Sequence, residues 1–275
     1  WDQLLDQMSF EDMSLLVNLG GWQTAQIDSV GKVATSDCDG PAGVNNFITG
    51  TYGTPYPTEV LMAQTWNTDL LYDLGLAMGQ EYADVNNYGV YGPAMNTHRS
   101  AFAGRNFEYY SEDGVLAGKL AAAQVNAMAT KGTYNYIKHF ALNDQETNRC
   151  AFLLTYSNEQ AIREIYLKPF ELCIKNFDGT QIAVMSSFNW IGTVPACANE
   201  DTLTTILRNE WGFRGMVITD YDGSYGYMIT DHCVRAGNDL MLGFSSQASN
   251  QLTNTESATL NNALRTSCKN IMYTI

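Results

Sequence analysis

With 275 residues the chain matches one (β/α) barrel, which typically takes about 250, and it leaves no room for a second large domain. Its 29 acidic and 15 basic residues give a net charge of −14, a surface that repels phosphate backbones and anionic lipid heads, so nucleic acid is not an expected partner. No apolar run approaches the ~20 residues that cross a bilayer, and the 45% hydrophobic content supports an ample core, so a soluble fold with a neutral ligand is expected and no membrane segment is.

In chain order, KVATSD (32–37) is the first clear strand, and TEVLMA (58–63) is either a second strand or the start of the helix that follows it. A helix is expected near 67–86, then the strand NYGVYGPAM (87–95), a helix near 112–131 and the strand TYNYIKHF (133–140). From Asn158 to Phe177 the residues Ile162, Tyr166, Phe170, Cys173 and Phe177 recur at helical spacing, with Ser157 and Gln160 as a capping box. The strand QIAVMSSF (181–188), a helix near 200–211 stopped by Gly212, the strands GMVITD (215–220) and NDLMLG (238–243), and a helix near 257–273 complete the series. Strand–helix alternation predicts a parallel α/β fold, and seven strands predict a TIM-like (β/α) barrel with a lost or irregular strand. A doubly wound sheet fits less well, because no GxGxxG turn follows the first strand and polar residues collect at strand ends.

Those polar residues would converge on one barrel mouth: Asp37 and Asp39, Arg105, Lys138 and His139, Met185, Ser187 and Phe188, and Asp220. Asp220 follows the apolar run Met216–Ile218, so it is either a carboxylate able to attack an anomeric carbon or a turn and helix-capping residue. Lys138 and Arg105 are donors to sugar hydroxyls, with Asp37 and Asp39 as acceptors, or else they form an ion-pair network that holds loops. His139 is a ligand contact or a structural histidine, and Met185 and Tyr221 are an apolar platform under a sugar or simply core. His98 and Arg99 read as loop scaffolding, and His232 and Cys233 receive no function. Six scattered cysteines (38, 150, 173, 197, 233 and 268) lack CxxC pairs, which implies free thiols, no metal cluster and no cofactor.

The strings YPTEVLMAQTWN, YGPAMNTHRSAFAGRNFEYYSEDGVLAGK, YIKHFALNDQETNR, REIYLKPFE, VMSSFNWIG, LRNEWGFRGMVITDY and AGNDLMLG, in this order, resemble the barrel domain of glycoside hydrolase family 3. The resemblance implies a metal-independent retaining exo-acting β-glycosidase, most often a β-glucosidase acting on β-glucosides or cello-oligosaccharides, with β-xylosides as a second substrate class. By position it implies Asp220 as nucleophile, sugar contacts from Asp39, Arg105, Lys138, His139 and Arg149, and a lining of Met185, Phe188 and Tyr221. Two departures stand out: Tyr221 where many members have Trp, and Asn45 or Asn46 where an Arg often follows the DGPxG motif. NDQETNR and CKNIMYT resemble bacterial members in which the barrel follows the other domain. The start at WDQLLDQMSF, without an initiator Met, suggests a piece of something longer and leaves the compartment open, with an extracellular or cell-surface place favoured over the cytoplasm.

The same family includes β-N-acetylglucosaminidases, whose acid is a histidine after a KHFPG-like motif. KHFALNDQETNR carries neither that Pro-Gly nor a later His. A sugar-binding barrel without catalysis and a Lys138 Schiff-base aldolase are the readings from other classes, the latter lacking a Gly-rich phosphate loop. No acid partner for Asp220 can be assigned among Glu108 and Glu112, which read as structural, or Asp144 and Glu146, whose motif positions Arg149, and the resemblance implies a glutamate supplied by a second domain or chain.

Overall fold

A computed structural model describes residues 1–223 and 225–275. Six strands build the centre: β1 (Gln23–Thr24), β2 (Thr35–Asp39), β3 (Gly89–Tyr91), β4 (Tyr134–Phe140), β5 (Ile182–Ser186) and β6 (Val217–Ile218). Strands β2 to β6 run parallel in chain order, and Ile218 continues the ladder by a parallel bridge to Leu240 in the NDLMLG segment. The irregular strand is β1, two residues long and antiparallel to β2 on the side away from β3, where Asp39 also pairs with Asn45. Between the two edges, the Met241 N–H donates to the Val17 carbonyl at 2.9 Å, so the segment leading into β1 closes the ring. The structure thus has the expected (β/α) barrel architecture, with one position reduced to a short antiparallel piece.

Alternation along the strands sorts the core into two layers. Tyr91, Tyr134, Tyr136, Met185, Met216 and Ile218 pack together with the residues that close the barrel. Their neighbours Ile137, Val184 and Val217 belong to a second cluster, under the surrounding helices with Leu120, Phe170 and Leu203. Helices α1 (Phe10–Asn18), α2 (Glu59–Ala63), α3 (Thr68–Asp84), α4 (Gly114–Ala129), α5 (Lys168–Lys175), α6 (Thr230–Ala236) and α7 (Ala258–Thr274) supply most of that cover, α4 packing between α3 and α5. Close approach of α3 and α4 requires Gly75, where a Cβ would stand 2.5 Å from the Gln124 carbonyl oxygen.

One open alternative is decided and three expectations change. TEVLMA is helix α2: its buried residues Glu59, Met62 and Ala63 fall at helical spacing, with none of the alternation of a half-buried strand. The first parallel strand begins at Thr35, three residues later than KVATSD, so Asp39 is its last residue and Asp37 lies inside it. The crossover helix is capped by Asn158, whose side chain accepts from the Ala161 N–H at 2.8 Å, in place of a Ser157–Gln160 box; Asn158 is nearer the first turn and carries a stronger acceptor. After a wide turn at Ile162–Tyr166, Tyr166, Phe170 and Cys173 are buried on the predicted face. Finally, the helix near 200–211 is a wide π-type helix, Asp201–Glu210, which ends as expected at Gly212 with φ +75°.

Candidate active site

The C-terminal ends of β2, β4 and β6 carry Asp39, Lys138 and Asp220 at the same parity as the barrel-facing residues Asp37, Tyr136 and Ile218. Period-two alternation therefore aims all three into the barrel mouth. His139 breaks that parity, yet its Nε2 lies 3.7 Å from Asp220 Oδ2. The β4–β5 register shifts between Ile137 and Phe140, which turns the end of β4 out of regular alternation. Asn96 then fixes His139 by exchanging two hydrogen bonds with its backbone, at 2.7 and 2.9 Å.

Asp220 is 7% exposed. Its Oδ1 accepts from the Tyr221 N–H at 2.8 Å, and its Oδ2 faces Arg149 Nη1 at 3.3 Å. Burial raises its pKa above the ordinary aspartate value, and the Arg149 guanidinium and the Tyr221 N–H pull in the opposite direction. Burial also holds the His139 pKa well below its usual value, helped by the charges of Arg105, Lys138 and Arg149. His139 is therefore neutral, and its contact with Asp220 is not an ion pair. The Tyr109 hydroxyl stands 3.2 Å from His139 Nδ1 and accepts from Asn143 Nδ2 at 2.8 Å, which orients the ring.

A second group surrounds Glu108. One carboxylate oxygen takes Arg105 Nη2 and Nε at 2.5 and 2.6 Å, and the other takes Lys138 Nζ at 3.1 Å. Glu146 pairs with Arg149 Nε at 2.9 Å and lies 3.8 Å from Arg105. Lys138 and Arg105 thus do stand in an ion-pair network, and with Asp39 they also line an open cavity of 530 Å³. The ion pairs are the loop-holding network that was one of the two readings of these cations.

Arg149 lies over the Phe188 ring, 4.5 Å from its centroid. Met185 is 3% exposed and packs in the cluster that holds Ile218, with Tyr221 against it. Tyr221 in turn meets Trp22 at 5.6 Å, and Trp22 meets Phe47 at 5.0 Å and Phe244 at 6.5 Å. This aromatic rim was missed from sequence, as were Asn96, Tyr109 and Asn143 and the bridging role of Glu108. A Trp in GGWQT gives no period or motif that aims it at a site 199 positions later in the chain.

Asp37 is not at the mouth. It is fully buried lower in the barrel, where it accepts from the Tyr134 hydroxyl and, at 2.8 Å, from Tyr136. It pairs with Gly89 at the start of β3, two residues below the level of Asp39 and Tyr91. Glu146 places Arg149, whereas Asp144 is under the influence of the Arg99 charge. His98 is scaffolding, with its Nε2 2.8 Å from the Tyr109 carbonyl oxygen. The six cysteines are free thiols. Among the described residues no group of three or more His, Cys, Asp or Glu is placed to hold a metal ion, and no helix is long and apolar enough to cross a membrane.

The family model described as the glycosyl hydrolase family 3 N terminal domain matches residues 24–264. Beta-glucosidase A of Butyrivibrio fibrisolvens is 40% identical over 250 residues, which cover 88% of this chain and 29% of that protein. A beta-glucosidase of Rhizobium radiobacter is 35% identical over 243 residues, covering 87% and 29%. Among solved structures, beta-glucosidase 3B of Thermotoga neapolitana in complex with α-D-glucose superposes with a TM-score of 0.84 at 32% identity, over 98% of this chain and 42% of the other. A beta-glucosidase of Streptomyces venezuelae in complex with D-glucose gives 0.87 at 26% identity, over 98% and 36%. The chain spans under a third of the length of these curated relatives. With a match over most of its length and a fold shared at this level, the chain belongs to glycosyl hydrolase family 3, as that family's N-terminal barrel domain.

Proposed function

We propose that residues 1–275 form the sugar-binding barrel of a retaining, exo-acting β-glucosidase in which Asp220 attacks the anomeric carbon. The observation that carries this reading is a buried carboxylate at a strand end, held by Arg149 and the Tyr221 N–H beside a neutral histidine and two clamped cations. Burial makes the carboxylate a better nucleophile by stripping its water, while Arg149 limits the loss of the ionised form. Asp220 forms a bond to C1 as the bond from C1 to the leaving oxygen breaks. Water then hydrolyses the glycosyl ester and releases the sugar with retained configuration.

Glu108 leaves the Lys138 ammonium and the Arg105 guanidinium with N–H groups to spare for sugar hydroxyls, and Asp39 adds an acceptor. Met185, Phe188 and Tyr221 form the apolar lining, and the rim of Trp22, Phe47 and Phe244 suits an aryl group or a second sugar on the leaving side. A retaining hydrolase also needs an acid about 5–5.5 Å from the nucleophile. Glu108 and Glu146 are tied up in ion pairs, so we assign the acid to a glutamate of a second domain or chain that covers the mouth.

Asp220→Asn in the complete protein should remove nearly all hydrolysis of 4-nitrophenyl β-glucoside with an unchanged circular dichroism spectrum. Turnover near that of the unaltered protein would exclude Asp220 as the nucleophile.

A further inference from the structure

The 530 Å³ cavity that Asp39, Arg105 and Lys138 line does not include Asp220, Arg149 or Tyr221. It opens on the other side of the clamped cations, between the loop after β2, the chain at Tyr52–Pro55 and the short turn Asn106–Glu108. If C1 of a sugar ring meets Asp220 while its hydroxyls meet Lys138, Arg105 and Asp39, the far side of the ring points into this cavity. In a hexopyranose that far side is C4, with the C6 hydroxymethyl beside it. An enzyme that removes only terminal residues needs a wall there. Here the rim is made of exposed Asn45, Tyr52 and Phe107, and the volume falls within the ~300–1,000 Å³ of small-ligand sites.

Glu59 is an independent sign of a polar occupant. It is 1% exposed, lines the same cavity, and its Oε1 has no hydrogen-bond partner. An orphaned buried oxygen of this kind calls for a polar group. Burial and the neighbouring Glu108 raise its pKa well above the ordinary value, while the Lys138 charge and the backbone N–H groups of Glu59 and Ala94 pull the other way.

We propose that this cavity is a second sugar site on the non-reducing side of the cleaved residue, so that the enzyme accepts glucosyl units already extended at C4 or C6 and releases them intact as a disaccharide. The proposal rests on the glycosidase reading above and replaces strict exo action with tolerance of one further neutral sugar. With 4-nitrophenyl β-cellobioside, the bond between C1 of the inner glucose and the phenolic oxygen breaks. Water supplies hydroxyl to C1 and the proton to the leaving oxygen, giving cellobiose and 4-nitrophenol.

The test is mass analysis of the first-formed products from this substrate with the complete protein. Intact cellobiose formed together with nitrophenol is the expected result. Substitution of the exposed rim residue Asn45→Trp should lower the cellobioside rate about tenfold or more while the rate on 4-nitrophenyl β-glucoside holds. Glucose and nitrophenyl glucoside as the only first products would overturn the proposal while leaving the glycosidase reading in place, as would equal rates of N45W on both substrates. No cleavage of the plain aryl glucoside would instead remove the glycosidase reading, and this proposal with it.

Discussion

The clearest chemistry in this chain sits on single carboxylates whose surroundings differ. Asp220 is held at the mouth by Arg149, whereas Asp37 is enclosed by Tyr134 and Tyr136 and has its pKa pushed up to about 6, chiefly by burial. A folded-state value above the unfolded one means that the folded protein binds the proton more tightly. Asp37 therefore contributes its stability below pH 4 and loses it as the pH rises to 6, a change of roughly 3 kcal/mol. Urea unfolding at pH 4.5 and 7.5 should show this difference shrinking in Asp37→Asn, and an unchanged pH dependence would contradict it. For the clamped cations, Lys138→Ala and Arg105→Ala should each weaken glucose binding by more than about 1 kcal/mol, because hydrogen bonds to charged groups contribute about 1.5–3. Calorimetry on the complete protein decides this, and unchanged affinity in both variants would return them to a purely structural role.

Among the elements, the strand ends were legible because alternation is strict. The series 134, 136, 138 and 216, 218, 220 place Lys138 and Asp220 beside barrel residues without any knowledge of the fold. Local chemistry was less informative where two periods fit the same letters, as in TEVLMA, whose buried Glu59 makes sense only once α2 packs on the turn at Asn106–Glu108. His139 could not be placed from alternation, since a register shift decides its direction. The cap of the crossover helix offers a direct check at this scale. Asn158→Ala should destabilise the protein by about 1 kcal/mol and Ser157→Ala by much less, because Asn158 alone of the two accepts the Ala161 N–H. The reverse order in thermal unfolding would restore the Ser157 cap.

For the molecule as a whole, the proposed nucleophile and sugar contacts lie at the barrel mouth, where the neighbouring carboxylates of Glu108 and Glu146 are engaged in ion pairs. The chain spans 29% of Butyrivibrio beta-glucosidase A, which is consistent with the second domain to which the proposal assigns the acid. Nothing in the aromatic rim was readable as a unit, because Trp22, Phe47 and Phe244 come from three distant loops that meet only when the ring closes between Val17 and Met241. The central claim is the covalent role of Asp220, and it can be isolated from the missing acid by a substrate whose leaving group needs no proton. Incubation of the complete protein with 2,4-dinitrophenyl 2-deoxy-2-fluoro-β-glucoside should trap the glycosyl-enzyme. Mass spectrometry of its peptides should place the added mass on the one containing Asp220, and Asp220→Asn should take up no label. A label on any other carboxylate, or an equal label on the variant, would contradict the account.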